Sequence, residues 1–166
     1  MNIKLSASKI NKTAPYKVSF QSNTSFEFQT DDGSIFQIGF TEDFMISEIG
    51  VYQFNIQNKT KTPSFKDVKL KETIIAVFEH FFEDKNRVAV YICDSMDGKQ
   101  HIRNRLFRMW FNSYSQKQHY TLKTASIEFE GISYYSALLM HNNNDDYKMY
   151  LQLYKQFIEQ LSEKYQ

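Results

Sequence analysis

Residues 87–114 read RVAVYICDSMDGKQHIRNRLFRMWFNSY, and this stretch decides the fold class that the sequence predicts. Its first part, residues 87–93, is almost continuously apolar, which is typical of a central strand buried on both faces. Asp97 and Gln100 then have the spacing of an acidic capping box, which favours a helix that runs to about Tyr114. A buried strand that is followed at once by a helix predicts a domain that mixes α and β structure.

Before this segment, strand patterning is followed by helix patterning. Several stretches alternate apolar and polar residues, which is the period of a half-buried strand, and Asp32-Gly33 marks a tight turn. Ser64 is the predicted N-cap of a helix, with Asp67 three residues further on, and apolar residues at helical spacing continue to about Asp84. The predicted strands of this part are residues 16–20, 25–29, 34–40 and 51–57.

After the segment, the sequence predicts a hairpin and a final helix. Residues 120–130 and 132–140 are expected to form two strands that meet at Glu130-Gly131. Residues 145–164 form an amphipathic helix with a continuous apolar stripe. The predicted order is β-β-β-β-α-β-α-β-β-α, an α+β fold with a mixed, mainly antiparallel sheet and helices packed on it.

Composition sets the size and the general class of the protein. The chain has 166 residues, of which 42% are hydrophobic and 16% aromatic, enough for one domain with a real core. We therefore expect a single domain over residues 1–166, in which residues 1–14 are loosely ordered. A formal net charge of +1 gives no global field that would recruit nucleic acid or anionic lipid. The lack of an apolar leader or a membrane-length apolar run predicts a cytoplasmic protein with no membrane contact.

Arg103 is the residue that breaks the helical pattern of the opening segment. A projection of residues 102–114 at 100° per residue places a broad apolar arc on one side of the helix. Arg103 falls within that arc, where an unpaired guanidinium would be costly. We expect an ion pair with Asp94, which would fix the angle between strand and helix; ligand binding is the alternative role. The predicted arc contains Ile102, Leu106, Phe107, Met109, Trp110, Phe111 and Tyr114.

Few residues of the sequence suggest catalysis or metal binding. Cys93 is followed by His101, but no third group completes a readable triad, so a small buried thiol is the simpler interpretation. Tyr134 and Tyr135 are candidates for a general acid. The four histidines have no metal-ligand spacing, so no metal site is predicted.

Two arginines on the opposite side of the same helix raise the question of nucleic acid. Arg105 and Arg108 are expected on the solvent face, where arginines are common. Acidic residues nearly balance basic ones, 19 against 20. The sequence therefore indicates that nucleic-acid binding is unlikely, since such binding depends on a local excess of positive charge.

The stretch from Ile92 to Phe111, with CDSMDGKQ, RNRLF and MWF, resembles a family of small uncharacterised bacterial proteins. This resemblance implies no known activity. It indicates only a domain of unknown function.

The order of elements over residues 25–140 is similar to the core of the GNAT superfamily of N-acyltransferases. RNRLFRMWF (103–111) and IEFEGISYYSALLM (127–140) resemble the closing part of such a domain. The resemblance implies acetyl-CoA or CoA as cofactor, held by the loop QNKTKTPSF (57–65), which has no glycine where that superfamily is glycine-rich. The residues of this loop that match a cofactor-binding role are Gln57, Lys59, Lys61 and Ser64.

Two functions remain in view. The first is a non-catalytic binding or interaction domain on a GNAT-like scaffold, in which the helix 145–164 serves as a surface for a protein partner or a homodimer. On packing grounds the same helix would simply cover the sheet. The second is an acyl-CoA-dependent N-acyltransferase with an atypical cofactor loop.

Overall fold

The computed structural model describes residues 3–46, 50–60, 66–93 and 95–164. Within these ranges the chain forms seven strands, four α-helices and one short 3-10 helix. The strands are β1 (Ser19–Ser22), β2 (Ser25–Gln29), β3 (Ile35–Glu42), β4 (Val51–Asn58), β5 (Val88–Cys93), β6 (Tyr120–Phe129) and β7 (Ile132–His141). The α-helices are α1 (Ala7–Ile10), α2 (Val68–Phe81), α3 (Gln100–Ser113) and α4 (Tyr147–Lys164), and the 3-10 helix is Lys117–His119.

The strands form one sheet in the order β1-β2-β3-β4-β5-β7-β6. β4 and β5 are parallel, with Val51 opposite Val88 and Gln53 opposite Val90. The pairs β1–β2, β2–β3, β5–β7 and β6–β7 are antiparallel. The predicted α+β class with a mainly antiparallel sheet is therefore confirmed.

Near the N-terminus the structure contains an element that the sequence did not predict. The short helix α1 is capped by Ser6, whose side chain accepts a hydrogen bond from the backbone N–H of Lys9. Ile3, Leu5 and Ile10 are buried. A single helical turn leaves too few residues for a periodic pattern, which is why α1 is absent from the predicted order.

Two predicted helix starts need correction. α2 is capped by Asp67, whose Oδ1 accepts hydrogen bonds from the backbone N–H groups of Lys69 and Leu70. The predicted cap, Ser64, lies outside the described residues. Asp97 is not the N-cap of α3, because that helix begins at Gln100 and the Asp97 carboxylate instead accepts from the backbone N–H of Lys99 at 3.0 Å. Both helices therefore begin later in the chain than predicted. Asp67, expected in the first turn of α2, is its N-cap, and Asp97, expected as the N-cap of α3, lies before that cap.

The chain divides into two compact units. In unit 1, aromatic rings form the core. The ring of Phe40 stacks on that of Phe81 at 4.0 Å between centroids, and Phe78 packs against Phe54 at 4.6 Å. These contacts bury the apolar stripe of α2, as its helical period requires. Unit 1 comprises residues 1–41 and 54–84, and unit 2 comprises residues 42–53 and 85–166.

In unit 2, α3 and α4 pack on opposite faces of β5 and β7. Val90 lies opposite Leu138, and both side chains enter the core with Tyr154 of α4. The next residue along the strand, Tyr91, points to the other face and packs against Phe107 of α3 at 4.9 Å between ring centroids. This explains why residues 88–93 are apolar, because the strand is covered on both faces except at Ile92, which is 42% exposed.

The apolar stripe of α4 belongs to the core of unit 2. Tyr150, Tyr154 and Phe157 are buried there, and Leu151, Ile158 and Leu161 pack against the same cluster while partly exposed. The stripe thus covers the sheet, the packing role that its amphipathic pattern suggests.

None of the described helices is both long enough and apolar enough to cross a lipid bilayer.

Candidate functional site

Cys93 lies at the end of β5 and is buried, opposite Tyr135 of β7. Burial raises the pKa of its thiol to about 11, although the nearby Arg103 favours the thiolate. His101 lies on α3 and is exposed, and among the described residues no hydrogen bond joins it to Cys93. A thiol held neutral in this way is a poor nucleophile at physiological pH.

Arg103 reaches back from α3 to the turn that precedes the helix. Its Nη1 donates to Oδ2 of Asp97 at 2.9 Å, and its Nη2 donates to Oδ1 at 2.8 Å. This two-bond contact, together with the N–H of Lys99, holds the pKa of Asp97 far below its usual range. The expected partner, Asp94, lies outside the described residues, so that ion pair stays a prediction. The contact with Asp97 joins the turn to the helix and is structural in character.

The tyrosines at this end of unit 2 are placed on both faces of the sheet. Tyr134 and Tyr135 follow each other on β7, so their side chains leave the strand on opposite faces. Both are half-buried. Tyr91 on the neighbouring strand is buried, which raises the pKa of its hydroxyl, and that hydroxyl lies 3.5 Å from Oδ1 of Asn104. No hydrogen bond among the described residues singles out Tyr134 or Tyr135 as a proton donor.

Residues proposed to hold a cofactor belong to unit 1. Gln57 is exposed near the end of β4. Lys59 is paired with Glu27, with 2.9 Å between Nζ and Oε2. Because this contact neutralises the charge of Lys59, the lysine offers a phosphate group less attraction than an unpaired cation would. Lys61 and Ser64 lie outside the described residues.

The exposed side of α3 carries apolar side chains that the sequence assigned to the core. Ile102 is 45% exposed and Met109 is 54% exposed, so the predicted apolar arc is too wide by these two residues. The sheet covers only a narrower stripe of the helix that includes Phe107, and within α3 Gln100 alone is fully buried. Arg105 and Arg108 are also exposed, as expected. Ile102, Arg105, Arg108 and Met109 are called the α3 outer face below.

Charge adds to the character of the α3 outer face. Within the part of the chain that the structure describes, neither Arg105 nor Arg108 forms an ion pair, in contrast to Arg103. Met96, in the turn before α3, is 92% exposed. Single exposed apolar residues are ordinary, but two on one helical face with unpaired arginines between them form a mixed apolar and basic surface.

Another polar cluster, in unit 1, was missed by the sequence analysis. The backbone N–H of Ser6 donates to Nε2 of His80 at 2.9 Å, so the proton of the neutral ring lies on Nδ1. That atom is 3.0 Å from Oε1 of Glu83, whose Oε2 contacts Nζ of Lys9 at 3.0 Å. The bond from Ser6 to His80 and the pair of Lys9 with Glu83 attach the segment of α1 to α2. Since the partners are 74 residues apart in the chain, local pattern holds no signal for them.

Metal binding finds no support in the ranges given above, where no group of three or more His, Cys, Asp or Glu residues is placed to hold an ion.

Comparison with known proteins gives a family but no activity. No curated protein matches the sequence. The model of DUF6169, described as a family of unknown function, matches residues 66–156, which is more than half of the chain. The match includes the stretch from Ile92 to Phe111 on which the family resemblance rested. The chain therefore belongs to the family of unknown function DUF6169.

Proposed function

We propose that the protein is a non-catalytic binding or interaction domain on a GNAT-like scaffold, and that the α3 outer face binds a protein partner. The observation that carries the proposal is the exposure of Ile102 and Met109 beside two unpaired arginines on one helix. Methionine and arginine are enriched at protein interfaces, and arginine is among the residues that contribute most to binding there.

The topology supports the scaffold part of the proposal. β4 and β5 are parallel neighbours, α2 lies between them in the chain, and α3 follows β5. The last two strands then form an antiparallel pair, with β7 beside β5 and β6 at the end of the sheet. This agrees with the element order on which the GNAT resemblance rests. A shared fold does not carry an activity with it, so the function has to be argued from side chains.

The side chains favour binding over catalysis. Cys93 is buried with a raised pKa, and Lys59 is paired with Glu27. Asp97, whose pKa is strongly lowered, owes that shift to Arg103 in a contact that organises a turn. The perturbed pKa values of Cys93 and Asp97 are thus explained by burial and by a structural contact, whereas an enzyme uses such groups on a substrate.

The chemistry of the α3 outer face defines the partner. Ile102 and Met109 lie seven residues apart, two turns along the helix, and Arg105 lies between them on the same side. A partner segment with apolar side chains flanked by carboxylates would bury Ile102 and Met109 against its apolar side chains. Its carboxylates would pair with Arg105 and Arg108. The stripe of α4 is occupied in the core, so the proposal places the partner surface on α3.

Affinity capture with matched variants tests this proposal. Immobilised wild-type protein and the Ile102→Glu/Met109→Glu variant are exposed to a lysate of the source cells, and captured proteins are quantified by mass spectrometry. We expect a protein that wild type captures and that the variant loses by at least about tenfold. Met149→Glu serves as control, since Met149 is 44% exposed on α4. Equal capture by wild type and the double variant would contradict the proposal that the α3 outer face binds a protein partner.

The second candidate is an acyl-CoA-dependent N-acyltransferase with an atypical cofactor loop. The parallel pairing of β4 with β5, with α2 between them in the chain, favours it. The loop is glycine-free, so backbone amides would approach a pyrophosphate less closely than in a glycine-rich loop. Titration with acetyl-CoA separates the two candidates, because only the acyltransferase requires this compound as a cofactor.

A further inference from the structure

β6 lies at one end of the sheet and pairs with β7 along its whole length. In an antiparallel ladder, alternate residues bond the neighbouring strand and the others point their N–H and C=O groups away from it. The bond from Asn142 N–H to the His119 carbonyl, at 2.8 Å, shows that odd-numbered residues bond β7. The outward-pointing residues of β6 therefore include Leu122, Thr124, Ser126 and Glu128.

This edge lacks two of the common features that prevent a strand from pairing further, a proline and a bulge, although it carries the charged residues Lys123 and Glu128. β6 is ten residues long, contains no proline, and keeps one continuous register with β7 from Tyr120 to Phe129, without a bulge. Natural edge strands are usually short, bulged or interrupted by proline, because an open edge otherwise accepts another strand. β6 is thus built to accept one.

Charge along the strand points to a second copy of this chain as that partner. Lys117 and Lys123 are near the start of β6, whereas Glu128 and Glu130 are at its end. Antiparallel pairing of two identical strands brings the acidic end of each strand alongside the basic end of the other, twice, although Lys123 and Glu128 leave opposite faces of the sheet and do not face each other directly. Parallel pairing would set like charges side by side, which is unfavourable. We propose that the protein forms a homodimer in which two β6 strands pair antiparallel and join two sheets into one.

Geometry also sets the register. Side chains that face each other across an antiparallel pair lie on the same face, so even-numbered residues face even-numbered ones. With Ala125 of one copy opposite Ala125 of the other, the two strands overlap almost completely. Thr124 then faces Ser126, Leu122 faces Glu128, and the outward groups form about eight hydrogen bonds. No like charges face each other, and the centre of the pair consists of small side chains.

Analytical ultracentrifugation of matched variants tests the homodimer. Sedimentation velocity of the wild type over a wide range of protein concentration is expected to show a reversible monomer–dimer equilibrium. Thr124→Lys/Ser126→Lys places lysines opposite each other across the proposed pair, and we expect at least a tenfold weaker dimer. Thr124→Glu/Ser126→Lys carries the same number of substitutions but places Glu opposite Lys, and we expect it to dimerise at least as well as wild type.

A backbone variant adds an independent readout. Ser126→Pro removes an outward N–H and leaves the bonds to β7 in place, so it should be monomeric while its circular dichroism stays that of the wild type. The Thr124→Lys/Ser126→Lys variant leaves the backbone hydrogen bonds intact. It therefore tests the homodimer even if Ser126→Pro fails to fold. A wild type that stays monomeric at every concentration would overturn the proposal. So would a dimer that is equally strong in wild type and in both lysine-bearing variants.

Discussion

Arg103 of α3 donates two hydrogen bonds, of 2.9 Å and 2.8 Å, to the carboxylate of Asp97 in the preceding turn. The arginine side chain is only 21% exposed, whereas that of Asp97 is 50% exposed. The main anomaly of the sequence was a guanidinium within an apolar arc. The contact explains how the guanidinium is accommodated, because the Arg103 side chain turns towards the start of its own helix and pairs there with Asp97. It also connects the chain that leaves β5 to the helix that packs beside it.

Asp97→Asn should destabilise the protein by about 0.5–1 kcal/mol, a small value because Asp97 is half exposed to solvent and screened. The pKa of Asp97 is lowered in the folded protein, so its contribution is present above the unfolded value of about 3.9 and is lost as pH falls towards the folded value. Urea unfolding at several pH values measures this: between about pH 5 and 2 the variant should lose less stability than wild type. Glu72→Gln, which removes one exposed carboxylate on α2, is the control for the loss of a negative charge. Parallel profiles for wild type and Asp97→Asn would contradict the structural role of the pair.

Gly50→Ala should destabilise the protein by about 2 kcal/mol or more, because two costs combine. Gly50 has φ +81°, and a Cβ at this position would collide with the hydroxyl of Tyr150. Gly98→Ala is the matched control: Gly98 has φ +69° but nothing within 4 Å of an added Cβ, so it carries the backbone cost of about 1 kcal/mol alone. In a Tyr150→Phe background, Gly50→Ala should become less costly, since the colliding oxygen is gone. Thermal unfolding of these variants measures the stability that each substitution removes. Equal losses of stability for Gly50→Ala and Gly98→Ala would show that the contact with Tyr150 adds nothing to the cost.

Glu130→Asn should stabilise the hairpin of β6 and β7 by a few tenths to about 1 kcal/mol. Glu130 has φ +48° and Gly131 has φ +74°, the signs of a two-residue type I′ turn, in which Asn-Gly is the favoured pair. Gly131→Ala is the opposing test and should destabilise by about 1 kcal/mol, because nothing but the backbone conformation disfavours the added Cβ. Chemical denaturation measures both changes. A destabilised Glu130→Asn would mean that the glutamate makes a contact worth more than the relief of its backbone.

Cys93 should resist alkylation in the folded protein. Its burial and its pKa of about 11 leave little thiolate at pH 8, so iodoacetamide should label it at least about a hundredfold more slowly than in denaturant. Because the folded pKa is raised, the stability that the neutral thiol contributes is present below the unfolded value of about 8.5 and declines as pH rises beyond it. Cys93→Ala should remove that decline. Labelling of the native protein as fast as that of free cysteine would restore Cys93 as a candidate nucleophile.

The sequence predicted those parts of the fold that rest on local pattern. The apolar run that became Val88–Cys93 and the turn at Glu130-Gly131 were both located, because a strand covered on both faces and a tight turn each leave a signature within a few residues. The width of the surface over which two packed elements touch leaves no such local signature in the sequence. Ile102 and Met109 fit an apolar arc, and only the width of the packed stripe decides that they face solvent.

Long-range bonds escaped prediction for the same reason. The bond between Ser6 and His80 joins residues 74 positions apart, and nothing in either neighbourhood indicates the other. Arg103 was expected to pair with Asp94, which lies outside the described residues, so that ion pair stays a prediction. The structure adds a contact with Asp97, which was not predicted because the path of the turn before α3 brings that carboxylate to the guanidinium.

The most direct test of the central claim, that the protein binds a partner and does not transfer acyl groups, is calorimetric titration of the full chain with acetyl-CoA and with coenzyme A. The account predicts no saturable heat of binding for either compound up to millimolar concentration, which corresponds to less than about 4 kcal/mol of binding free energy. Saturable binding of acetyl-CoA at micromolar concentration would contradict the account and establish the acyltransferase alternative as the better description.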